Sequence, residues 1–142
     1  DGRVVGMIIG PSAKTTHVDK VAQALTAAGA VLQVIGPRGG VVGSVETHHT
    51  LHTCDSVMFD ALVVDPSAAE LVDESLKASV LVQEAYRHHK TVAAVGAGAE
   101  LLAAAGVESD APGVLVDTSS AKRFTGALVT SLGWHRHWER VV

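Results

Sequence analysis

Between Glu46 and Ser56 the chain carries His48, His49, His52 and Cys54, four side chains of the kinds that hold zinc or copper. Imidazole nitrogen and thiolate sulfur are good ligands for such ions, and His48 and His52 would share a face if the stretch were helical. Its neighbours are glycine-rich and weakly alternating, without helical period, and no second ligand pair stands at a metal-binding spacing. The cluster is therefore read as polar surface of an edge loop, and no metal site is expected. Cys54 is the only cysteine, which excludes an internal disulfide and points to a reducing, cytoplasmic compartment. With no activating neighbour in sequence it reads as an inert thiol.

The remaining candidates fall away on similar grounds. "GPSAKTT" (Gly10 to Thr16) follows a strand and invites a phosphate-loop reading, but Ile8 and Ala13 occupy the two positions where that loop needs glycine. No G-x-G-x-x-G follows the strand either, so a dinucleotide is not expected. His88 and His89 stand beside Lys90 at the end of a helical pattern, where cations complement the helix dipole. His135 and His137 flank Trp134 and Trp138, whose spacing of four reads as a packing stripe.

One stretch keeps the shape of an active site without its reagent. "TVAAVGAGAELLAAAG" (Thr91 to Gly106) reads as strand, sharp turn and helix. In a nucleophile elbow such a turn exposes one reactive side chain beside the N–H groups of a helix start. Here the turn is Gly96-Ala97-Gly98, which can attack nothing. No catalytic residue is expected, and Gly96 marks the vacant nucleophile position.

The elements that position these residues follow from hydrophobic pattern. The chain has 142 residues, 47% of them apolar, 18% charged and 4% aromatic, with a net charge of -4. That is the composition of one folded domain, with no electrostatic reason to expect nucleic acid or an anionic membrane and no apolar run of membrane-spanning length. It opens directly in a strand without an initiator methionine, as expected of a domain cut from a longer protein. "RVVGMIIG" (3–10) is a continuous apolar run, the mark of a buried parallel strand. Val18, Val21, Ala22 and Leu25 then fall on one helical face, with Thr16 as the expected cap and Gly29 as the stop. "AVLQVIG" (30–36) completes a βαβ unit. A hairpin or irregular excursion over the sheet edge follows, then the strand "DALVVD" (60–65). Helical segments lie between Ala68 and His89, before the strand 91–95. A short helix ends near Gly106, "GVLV" (113–116) is another strand, and a last helix starts around Ser119, with Phe124 and Leu128 on its inner face. Strands alternating with helices predict a parallel sheet covered on both faces.

The segment around Gly96 resembles that of the class I glutamine amidotransferase-like, PfpI-type superfamily. On that pattern Gly96 takes the position of the family's cysteine and Ala97 that of the residue after it, often histidine. The family's acidic partner falls near Lys14, and Asp65-Pro66-Ser67 replaces the proline and glycines after the "DALVV" strand. The chain as a whole resembles the C-terminal domain of large-subunit haem catalases. The matching stretches are "GRVVGMIIG", "AAGAVLQVIGPRGG", "SVMFDALVV", "QEAYRHHKTVAAVGAGAELLAAAGV" and "HRHWER". The resemblance implies a flavodoxin-like, doubly wound, mostly parallel sheet with helices on both faces and a hairpin excursion. It implies a partner in the catalase core, which holds the haem with its tyrosine ligand and distal histidine and decomposes hydrogen peroxide as a homotetramer. This domain then carries no cofactor, its single tyrosine being Tyr86, and supports stability, assembly or protein interactions. Alternative readings are a chaperone-like module protecting unfolded client proteins, a residual PfpI-type hydrolase or glyoxalase, and a small-ligand binder at the strand C-termini.

Overall fold

Five apolar runs become five neighbouring strands in the computed structural model, which describes residues 3–73, 75–117, 127–128, 130–131, 133 and 137. They are β1 (Val4–Ile8), β2 (Val31–Gly36), β6 (Ala61–Val64), β7 (Thr91–Val95) and β8 (Val114–Asp117). Between β2 and β6 lie a two-residue hairpin, β3 (Val41–Val42) with β4 (Val45–Glu46), and a short strand β5 (His49–Thr50). The six-stranded sheet runs β5-β2-β1-β6-β7-β8, with every neighbouring pair parallel. Leaving aside the β5 edge, the five long strands stand in the order 2-1-3-4-5, the doubly wound arrangement of flavodoxin-like folds. The winding reverses between β1 and β6, paired in register Val5 to Ala61 and Met7 to Val63.

Alternate residues of these strands face opposite layers. Val5, Met7, Val34, Ala61, Val63 and Ala93 pack with Val18, Val21 and Leu25 of α1 (Thr15–Ala27) and with Leu128. Ile8, Ile35, Leu62, Val64, Val92 and Ala94 pack with Leu81, Val82 and Ala85 of α2 (Leu76–Arg87) and Leu101 and Leu102 of α3 (Ala99–Ala104). Burying one such Leu, Ile or Val side chain contributes roughly 1.5–3 kcal/mol, so the two layers account for most of what holds the sheet.

Several expectations shift in detail. The helix α1 begins one residue before Thr16, with Lys14 as N-cap and no side-chain cap bond, so Thr16 lies inside the helix. Gly29, at φ +82°, does lie just beyond its end. The segment from Ala68 to His89 divides into a 3₁₀ turn (Pro66–Leu71) and α2, whose N-cap Ser75 accepts from the Ala78 N–H. The excursion does form a hairpin, but its end also adds β5 to the sheet edge, a pairing that no side-chain pattern announced. Of the last helix, Ala127, Leu128, Thr130 and Ser131 are helical. Ser119, Phe124, Trp134, His135 and Trp138 lie outside the described residues.

Candidate functional site

The turn after β7 has the strand-to-helix form expected of an elbow. Gly96, Ala97 and Gly98 make one 3₁₀ turn that leads into α3. Gly96 adopts φ +53°, a region that side-chain-bearing residues seldom enter. A methyl group there would meet only Pro66 Cγ, at 3.7 Å. Gly98 plays a different part. Its φ is an ordinary -58°, and what it supplies is close approach: a Cβ would stand 2.5 Å from the Val64 carbonyl oxygen and 2.9 Å from that of Asp65. The turn is thus pressed against the end of β6.

Beside it opens a cleft of about 240 Å³ lined by Ser12, Lys14, His17, Asp65, Pro66, Ser67 and Glu70. These residues follow β1 and β6, at the carboxyl ends of the two strands between which the winding reverses. Local capping chemistry builds one side of it. Asp65 caps the 3₁₀ turn, with Pro66 at its first position, and accepts from the Ser67 N–H on Oδ2 at 3.0 Å. Ser67 Oγ donates to the same Oδ2 at 2.5 Å and accepts from the Gly10 N–H at 2.9 Å, tying β6 to β1. Gly10 itself must lack a side chain, since a Cβ would collide with the Ser67 carbonyl group. On the other side, Glu70 Oε1 accepts from the Ser12 N–H at 3.0 Å and from Ser12 Oγ at 2.5 Å.

Asp65 is fully buried, yet its second oxygen, Oδ1, has no hydrogen-bond partner. His17 Nδ1 stands 3.7 Å from it, beyond hydrogen-bond length, on a side chain 44% exposed. Leaving a buried acceptor unsatisfied costs on the order of 1–3 kcal/mol, so this oxygen marks a place where a donor belongs. Lys14, the expected position of the superfamily's acidic partner, is exposed in the lining of the same cleft.

The histidine and cysteine candidates are not brought together. His48 Nδ1 accepts from the Val34 N–H at 2.9 Å. His49 Nε2 bonds Gln33 Oε1 at 2.6 Å, and its ring meets Phe59 edge-on at 5.5 Å. His52 is exposed, and Cys54 is buried. Burial pushes the Cys54 thiol above its ordinary range, against the smaller lowering effects of a backbone hydrogen bond and Lys77. Among the described residues, no group of three or more His, Cys, Asp or Glu is placed to hold a metal ion.

At the other end of the sheet Lys90 stands just beyond α2. It is 4% exposed, and its ammonium donates to the carbonyls of Ser56 and Phe59 at 2.6 and 2.8 Å. A buried charge requires such partners, and here they pin the loop before β6. His88 caps the end of α2, and His89, at φ +62°, bonds the His137 carbonyl through Nδ1 at 2.9 Å. His137 Nε2 lies 3.0 Å from both Thr91 Oγ1 and Ser131 Oγ. A hydroxyl beside an imidazole can be a nucleophile and its base. All three side chains are buried, however, and the arrangement fastens the C-terminal segment to β7 instead.

Of the cleft residues, His17 and Glu70 were not singled out from sequence, Asp65 and Ser67 stood out only as a departure from the superfamily's turn, and Ser12 only within a rejected phosphate loop. Their one local signal was Asp-Pro-Ser, a cap followed by proline at the first position of a turn. Nothing local pairs it with Ser12, more than fifty residues away.

The model of the C-terminal domain found in long catalases matches residues 1–142. Catalase-2 of Bacillus subtilis is 28% identical over 145 residues, covering 97% of this chain and 21% of the relative. Catalase HPII of Mycobacterium avium is 32% identical over 133 residues, covering 79% and 19%. A catalase of Alkalihalophilus pseudofirmus is 31% identical over 150 residues, covering 99% and 21%. The chain spans about a fifth of the length of these curated relatives.

Proposed function

Because the chain belongs to the family of C-terminal domains found in long catalases, we propose that it serves a parent catalase as a non-catalytic domain supporting stability and assembly. The observation that carries this reading is the turn after β7. It keeps the strand, the bend and the helix start of an elbow, with Gly96 and Ala97 where a reacting side chain and its neighbour would stand. Acyl transfer needs a nucleophile with a base in reach, and neither glycine nor alanine supplies one.

Among the described residues, neither the single tyrosine nor the cleft fits haem. An axial ligand must face a pocket that admits the macrocycle. Tyr86, near the end of α2, is 7% exposed and packed in the core. The cleft beside Asp65 is small and lined by charged and hydroxyl groups. Haem and peroxide chemistry are accordingly assigned to the catalase core, which is the proposed partner. Exposed apolar side chains suit such a partner: Val57 is 74% and Leu76 81% exposed.

The test is direct. The purified chain should decompose no hydrogen peroxide, give no Soret band with added haem beyond a non-specific control, and match buffer in esterase, amidase and methylglyoxal assays. Stoichiometric haem binding, or turnover abolished by a change at Gly96 or Gly98, would overturn the proposal.

A further inference from the structure

We propose that the cleft between the ends of β1 and β6 is a binding site for a small molecule bearing a primary ammonium group, with Asp65 as its principal acceptor. Three observations converge. In doubly wound sheets the crevice at the carboxyl ends of the strands, where the winding reverses, is the place where ligands bind, and this cleft opens there. Within it, the fully buried Asp65 is half satisfied: Oδ2 receives two donors from Ser67, whereas Oδ1 receives none. The lining also holds a second carboxylate, Glu70.

The missing group is therefore a donor, and the two carboxylates of the lining, set against its one lysine, Lys14, leave a balance of charge that favours a cation. An ammonium carries three N–H donors on a compact charge, so it can satisfy Oδ1 while facing Glu70. His17 does not take this role from where it stands, 3.7 Å away and half in solvent. A phosphate is disfavoured by the two carboxylates and by a first loop that lacks the glycines needed to wrap it. A bare metal ion would need more ligating groups than the described residues assemble. The volume, about 240 Å³, admits a ligand of several heavy atoms, since one water needs only ~10–15 Å³. This site is independent of the proposed role in catalase assembly, and either can fail without the other.

Ethanolamine hydrochloride, titrated into the chain at constant ionic strength and followed by the amide resonances of Gly10 and Ser67, tests the proposal. Saturable shifts are expected, with tetramethylammonium chloride, which has charge but no N–H donor, producing none. Asp65→Asn should weaken ethanolamine binding at least tenfold. Glu70→Gln, which keeps an oxygen for the two Ser12 donors, should weaken it several-fold with the fold retained. Equal affinity in a complete catalase carrying the chain is expected of a free ligand. Loss of the site there would overturn the proposal in favour of a lysine side chain of the core occupying the cleft. No saturation, equal shifts with tetramethylammonium, or unchanged affinity in Glu70→Gln would also overturn it.

Discussion

Gly96 stands at φ +53° with room for a methyl group beside Pro66, whereas Gly98 has ordinary angles and no room at all beneath the Val64 carbonyl. The two glycines therefore answer differently to the same substitution. Gly96→Ala should cost about 1–2 kcal/mol, the strain of a left-handed alanine. Gly98→Ala should cost more, because backbone must move to admit the new atom. Urea unfolding of both variants checks the order, and a milder effect at Gly98 would contradict it. Cys54 gives a prediction with a definite sign. Burial raises its pKa in the folded state, so the unfolded thiol ionises first as pH rises. The stability it contributes is fully present below the unfolded pKa and is lost as pH climbs through the folded one. Unfolding free energy should thus decline in mildly alkaline solution, and Cys54→Ala should reduce that slope.

At the scale of elements, the strands buried on both faces were the most legible. β1, β6 and β7 are short continuous apolar runs because neither face meets water, and their bounds follow from sequence to within a residue or two. The short strand β5 left no such trace. Its two residues, His49 and Thr50, are recruited by backbone pairing to Ile35 and Gly36, and their side chains are polar. The cleft was hidden for a topological reason, since it joins two loops that only the order of strands makes adjacent. The burial of Lys90 was hidden too, because a lysine after a helix looks the same in sequence whether it faces water or two buried carbonyls. Caps lie between these cases. Ser75 holds the Ala78 N–H at the start of α2, and Ser75→Ala should lower stability by about 1 kcal/mol, read from the thermal midpoint. At the C-terminal end, truncation before Trp134 removes His137 and its bonds to Thr91 and Ser131. Thr91 Oγ1 and Ser131 Oγ still bond each other at 2.7 Å, so a loss of about 1 kcal/mol for each bond to His137 is expected. An unchanged unfolding midpoint would show that the tail does not hold β7.

The whole molecule is a two-sided sheet with its own core on each face, joined in its relatives to roughly four times its length of further chain. A domain of this kind can influence a peroxide-consuming centre without touching it, by holding subunits together or slowing their unfolding. On the proposed reading the elbow after β7 is a joint kept for its geometry, with Gly98 pressed against the end of β6. The most direct measurement compares a complete long catalase carrying this chain with the same enzyme lacking residues 1–142, following tetramer content and the half-life of activity on heating. The shortened enzyme is expected to keep its turnover per haem while assembled but to dissociate or inactivate several-fold faster. Unchanged assembly and half-life, or a loss of turnover per haem in tetramers that remain intact, would contradict it.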